Sequence, residues 1–97
     1  MKKEQVLSLL ASRREDILVK FGVKKLGIFG SVARDDMRNG SDVDILVEFQ
    51  DAATFDRYMD LKAYLEALLG TAVDLVTEDA LKPRMRPHIE KDMVRVA

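Results

Sequence analysis

The chain has 97 residues, enough for one compact domain spanning 1–97 and too few for two. Hydrophobic residues make up 47% and charged residues 34%, which supplies a core and argues against a disordered chain. Cysteine is absent, excluding a disulfide framework and a thiolate zinc site, and no apolar run is long enough for a signal peptide or membrane span, so a cytoplasmic protein without membrane contact is expected.

Residues 3–21 place Val6, Leu9, Leu10, Ile17, Leu18 and Phe21 at helical spacing, with Gly22 as a stop. Lys25–Phe29 is a short apolar run entering Gly30 and predicts a strand. Ser31 opens a stretch, Val32–Met37, that predicts a short helix, and Arg38-Asn39-Gly40-Ser41 predicts a turn. Val43–Phe49 is the clearest strand, with Val43, Ile45, Val47 and Phe49 alternating with Asp44, Leu46 and Glu48. Thr54–Leu69 predicts a second amphipathic helix whose stripe is Phe55, Tyr58, Leu61, Leu65, Leu68 and Leu69, capped by Gly70. Ala72–Val76 predicts a third strand, Glu78–Met85 a helical turn interrupted before Pro87, His88–Lys91 a further helical piece, and Val94–Val96 a short edge strand. This order predicts an α/β or α+β domain, a small mixed sheet with helices packed on it. A domain of this size buries a modest fraction of its surface, so a partner or a second copy (a homo-oligomer) is expected to supply part of its stability.

The net charge of −1 hides a pattern. Residues 1–34 carry a balance of +5, residues 35–60 a balance of −6, and residues 82–97 a balance of +3. An acidic centre between basic arms suits a cation site with anion-binding surroundings, although solvated faces give the same pattern.

The chemistry concentrates in Gly30-Ser31 followed, after ten residues, by Asp42-Val43-Asp44. Alternation along a strand sends Asp42 and Asp44 to the same face, and two carboxylates held side by side repel. A divalent cation resolves that repulsion. Oxygen ligands without nearby His or Cys point to Mg²⁺ or Mn²⁺. Asp74 is the third candidate, a charge within the apolar run Ala72-Val73-Asp74-Leu75-Val76. Three carboxylates suffice for two metals about 3.5–4 Å apart, the arrangement used for in-line displacement at phosphorus. Gly30 permits close approach of the backbone to a ligand, Ser31 starts a helix where phosphate is favoured, and Arg34, one turn on, is placed either to reach a phosphate or to cover surface. No Gly-Lys-Ser/Thr follows, so this is not a Walker A loop. His88, the only histidine, sits in a polar basic segment and receives no role. The basic C-terminal stretch lacks interleaved aromatics, so direct nucleic-acid binding is not expected.

These residues resemble the DNA polymerase beta-type nucleotidyltransferase superfamily. The wording Ile28-Phe29-Gly30-Ser31-Val32-Ala33-Arg34, Ser41-Asp42-Val43-Asp44-Ile45-Leu46-Val47 and Leu81-Lys82-Pro83-Arg84-Met85-Arg86-Pro87 resembles its minimal nucleotidyltransferase (MNT) members. The resemblance implies that Gly30 and Ser31 hold the β- and γ-phosphates of ATP, that Asp42 and Asp44 ligate two Mg²⁺ ions, and that Asp74 ligates the catalytic one and helps deprotonate the attacking hydroxyl. It further implies an antitoxin that pairs with a HEPN-domain toxin, an RNase, and transfers AMP to one of its tyrosines. One departure is visible: many members carry Gly after the Ala-Arg pair, where this chain has Asp35-Asp36, which bears on the tightness of the following turn. The competing reading is a non-catalytic binding module that neutralises a toxin by complex formation. Transfer to a small molecule is disfavoured, because no second domain is present to hold one.

Overall fold

A computed structural model describes residues 1–97. The sheet is organised by β2 (Val43–Phe49), in which Val43, Ile45, Leu46 and Val47 are all buried. β1 (Val23–Phe29) lies antiparallel to it on one side and β3 (Val73–Thr77) parallel on the other. A short β4 (Val94–Arg95) pairs antiparallel with β1, giving the order β3-β2-β1-β4. This is the mixed sheet expected from the sequence. A parallel pair needs a crossover, and α4 (Phe55–Leu69) supplies it between β2 and β3.

α4 begins where the Thr54 hydroxyl accepts the Arg57 N–H at 3.1 Å, and ends where Gly70 turns to φ 70° and donates its N–H to the Glu66 carbonyl. Leu61, Leu65 and Leu69 recur every fourth residue and are buried against the sheet, joining Val6 and Leu10 of α1 (Lys3–Ser12), Ile17 of α2 (Arg14–Lys20), and Leu26, Ile28, Val43, Ile45, Val47, Val73 and Leu75 of the strands. α4 also covers the free edge of β3. The Glu66 carboxylate accepts the Val73 N–H at 2.9 Å and the Tyr58 hydroxyl donates to the Leu75 carbonyl, so groups that an edge strand leaves open are satisfied within the chain.

Several expectations are corrected. The first helix is two. The Ser12 hydroxyl donates to the Leu9 carbonyl at 2.6 Å and Arg13 leaves helical geometry at φ −117°, so the chain is re-aimed before Ile17 reaches the core. Phe55 heads the α4 stripe but is 75% exposed, lying on an open concavity that it lines with Tyr58 and with Leu75, Val76 and Thr77 of β3. β1 starts two residues early, across an irregularity between Val23 and Lys25, and β3 runs one residue late. The stretch after Gly30 is helical only over Gly30–Ala33 (α3), and Glu78–Ala80 forms a single 3-10 turn.

The second face of the sheet is also covered. Leu46, on the Asp44 side of the alternation, is buried with Leu81 and Ile89, and Phe29, Val76 and Met93 pack around them. This cluster seats α5 (Arg86–Asp92), tied at its start by Arg86 to Glu78 at 3.3 Å. Gly27 lets the Met93-Val94 segment that follows α5 sit close on β1, since a Cβ there would meet the Val94 carbonyl at 3.0 Å and Met93 Cγ at 3.1 Å. Shortening Leu65 to Ala should leave a cavity between α4 and the sheet and cost about 2–5 kcal/mol. Urea unfolding followed by circular dichroism measures it, and a loss well under 1 kcal/mol would place the core elsewhere.

Candidate active site

Register brings the acidic residues together. β2 and β3 run parallel with Asp44 opposite Asp74, and β1 places Phe29 opposite Asp44, so the chain leaves the sheet at Gly30 right beside the Asp44 carboxylate. Gly30 has φ 69°, a conformation that disfavours side chains, and a Cβ there would drive into the Asp44 carboxylate, meeting its Cγ at 3.1 Å and its Cβ at 3.4 Å. The glycine is thus required both by the left-handed turn and by the neighbour it leans on.

Asp44 is half-buried while Asp42, one residue ahead of β2, and Asp74 are exposed. The Asp44 carboxyl is pushed up to about 6, first by burial, then by the charge of Asp74 and a hydrogen bond shared with it, and then by the charge of Asp42; Arg34 opposes the shift. Of the three carboxylates expected from the sequence, Asp42 and Asp74 therefore both act electrostatically on Asp44. They do not form a ready-made cage: no three acidic or histidine side chains stand in metal-holding geometry.

Ser31 and Arg34 belong to α3 and its end. Arg34 is held by two carboxylates, donating to Asp92 at 2.8 Å and to Asp36 at 3.3 Å, which raises its pKa above the ordinary value. The Asp92 bond ties α3 to α5, a link across 58 positions of sequence that no local pattern announces. Arg34 stands between two open concavities. One, of about 400 Å³, is lined by Phe29, Gly30, Arg34, His88, Ile89, Lys91 and Asp92; the other, of about 310 Å³, by Ser31, Arg34, Asp36, Arg38 and Ser41. His88, assigned no role from sequence, is exposed and faces the first of these. Arg38 and Ser41 were legible only as part of a turn, because sequence does not tell toward which wall a turn presents its side chains.

The Asp35-Asp36 departure has a structural resolution. Asp35 adopts φ 58°, the left-handed conformation that Gly takes freely and that Asp tolerates better than most residues. Its carboxylate accepts the Lys3 N–H at 3.0 Å, anchoring the turn to the start of α1.

The raised Asp44 pKa has a stability consequence. The fold binds the Asp44 proton more tightly than the unfolded chain does, so this contribution is fully present below the ordinary value near 3.8 and is lost as pH rises through about 6. With a chelator present, the Asp44→Asn variant should therefore match wild type near pH 4 and exceed it by about 1–2 kcal/mol at pH 7.5, a figure discounted for solvent screening. Urea unfolding at both pH values reads this, and parallel pH profiles would contradict the assigned cause.

Residues 4–96 match the family model described as a nucleotidyltransferase domain. The chain is 38% identical over 93 residues to the protein adenylyltransferase MntA of Thermococcus cleftensis, covering 96% of this chain and 94% of that protein. A solved structure provisionally assigned as a minimal nucleotidyltransferase superposes with TM-score 0.82 at 35% identity, covering 97% of this chain and 95% of the other. A chain of the complex between tri-AMPylated Shewanella oneidensis HEPN toxin and MNT antitoxin shares the fold with TM-score 0.68 at 18% identity, over 94% of this chain and 71% of that one. The match along nearly the whole length, joined to the mixed four-stranded sheet, makes this chain a nucleotidyltransferase of the minimal nucleotidyltransferase family.

Proposed function

We propose that the chain transfers AMP from ATP to a tyrosine hydroxyl of a HEPN-type toxin, using Asp42, Asp44 and Asp74 as its acidic centre. The observation that carries this reading is the juxtaposition of Asp44 with Asp74 across parallel strands, with Gly30 against the Asp44 carboxylate. Carboxylates crowded so that one is pushed toward its protonated form are poorly satisfied by the protein alone, and an all-oxygen donor set suits a hard divalent cation. Asp42, Asp44 and Asp74 would hold magnesium, which supplies neutralising charge at the phosphates when bound.

The residues of the chain do the remaining work. Gly30, lacking a side chain, lets the phosphates approach the backbone, and the Ser31 hydroxyl donates to a phosphate oxygen. Asp74 is exposed, so a hydroxyl arriving from a partner can reach it and pass it a proton. The hydroxyl oxygen then bonds to the α-phosphorus, the bond from that phosphorus to the bridging oxygen of the β-phosphate breaks, and pyrophosphate departs with the electron pair. Rate comes from holding the reacting atoms in line and from charge stabilisation. A protein acceptor is supported by the similarity to the Thermococcus protein adenylyltransferase, and a HEPN partner by the fold shared with the Shewanella complex.

The test is the intact mass of a HEPN-type toxin that binds this chain, after incubation with the chain, ATP and Mg²⁺. Wild type should add one or more AMP units. Asp44→Asn and Gly30→Ala should each slow the addition by roughly 100-fold or more, and a chelator should stop it. A toxin that gains no mass yet forms a stable, neutralised complex would replace this reading with the non-catalytic binding module.

A further inference from the structure

The end of the sheet away from the acidic centre carries two adjoining concavities. Asp44 and Asp74 stand near the starts of β2 and β3, whereas these concavities lie around Val47–Phe49 and Thr77, at the far ends of the same strands. The first, of about 130 Å³, is walled by Glu48, Asp51, Glu78 and Asp79, with no basic residue in its lining. The second, of about 440 Å³, is mostly apolar, walled by Phe55, Tyr58, Leu75 and Val76. Ala53 and Thr77 line both, so the two form one continuous surface, half acidic and half apolar. Phe55 is 75% exposed on it, and Met59, one turn further along α4, is 40% exposed. An open aromatic anchor bordered by charge has the make-up of a protein–protein contact.

The acidic half suits a cation of a particular shape. Glu78 receives Lys25 and Arg86 on Oε1, yet its Oε2 is buried with no hydrogen-bond partner. No three of these carboxylates stand in metal-holding geometry. A guanidinium, planar and with five N–H donors, can meet several spread carboxylates at once.

The same chain carries the complementary piece. Lys82-Pro83-Arg84-Met85 closes as a turn, the Met85 N–H donating to the Lys82 carbonyl at 2.9 Å, with Pro83 in the second position. All four residues are exposed, Met85 to 45%. Neither Lys82 nor Arg84 has an ion-pair partner within the chain. An unpaired guanidinium in a closed turn, with a thioether beside it, matches a surface of unpaired acid next to an open aromatic ring. The turn follows Glu78 and Asp79 closely in sequence, so each copy of the chain carries both halves of the pair near one another. A two-fold contact requires this, since each copy must give what it receives.

We propose that the chain pairs with a second copy of itself through this end of the sheet. The Arg84 turn of each copy seats against Glu48, Asp51 and Asp79 of the other, and Met85 packs against Phe55. Neither nucleotide nor acceptor enters this contact, so it stands or falls apart from the transfer reaction.

Sedimentation equilibrium of the intact chain tests it, at about 100 µM protein and low ionic strength. Wild type should sediment as two copies of the 11.0 kDa chain and dissociate as salt rises. Arg84→Glu should weaken pairing by about tenfold or more, as should the double change Asp51→Lys/Asp79→Lys and, on the apolar side, Phe55→Ser. Circular dichroism spectra equal to wild type establish that the variants are folded. An equimolar mixture of the Arg84→Glu chain and the Asp51→Lys/Asp79→Lys chain should pair as wild type does, because in the mixed pair one contact is native and the other has both charges reversed. A wild type that sediments as one copy would overturn the proposal. A dimer indifferent to all three variants would also overturn it, placing the interface elsewhere, and so would a mixture that remains as single copies.

Discussion

Asp44 faces Asp74 across two parallel strands, and much of the fold can be understood as what it takes to hold those two like charges together. Parallel pairing forces a crossover, and α4 provides it while burying Leu61, Leu65 and Leu69 on the sheet. The repulsion is tolerated because the apolar residues flanking each aspartate are locked in a core: Val43 and Ile45 around one, Val73 and Leu75 around the other. Shifting either strand by one residue would turn its aspartate into that core and its valine outward, so the hydrophobic alternation sets the register and the register sets the site. Gly30 follows from the same constraint. The chain must leave β1 next to Asp44, and only a residue without a side chain fits against that carboxylate at positive φ.

The second layer of order is electrostatic. Oppositely charged residues from separate elements meet at chosen points of the fold. Arg34 meets Asp92, Arg86 and Lys25 meet Glu78, and these links fasten α3 and α5 to the strands carrying the acidic centre. The Arg34 pair, more exposed than those at Glu78, contributes little stability individually. The use of these links is geometric, since each fixes where a helix or turn stands relative to the carboxylates.

How much of this was legible in the sequence depended on the range of the signal. β2 and α4 were readable because alternation and a four-residue leucine repeat are local patterns reinforced by burial, and Thr54 and Gly70 mark the helix ends chemically. The candidate residues were readable for a related reason: Asp42 and Asp44 share a strand, and a charge inside Ala72–Val76 stands out. What escaped was set by tertiary contact. Leu46 looked like part of a polar face until α5 covered it, and Phe55 looked buried although it lies open to solvent at the head of α4. The break at Arg13 depends on where the core asks the chain to turn, and the left-handed Asp35 depends on an anchor at Lys3. The engagement of Arg34 by Asp92 changes the meaning of a residue that sequence could assign only to phosphate or surface.

Crowded carboxylates that form a cation site must bind Mg²⁺ in the folded state. The most direct measurement is the thermal unfolding midpoint at pH 8 during titration with Mg²⁺, for wild type and for Asp44→Asn. A ligand that binds only the folded state raises the midpoint by mass action, about 4–8 °C per kcal/mol in a domain of this size. Wild type should rise with Mg²⁺ until the site saturates, and Asp44→Asn should stay flat over the same range. Equal rises in both would mean that the ion binds without Asp44, and a flat response in wild type would mean that the three aspartates hold no cation at all.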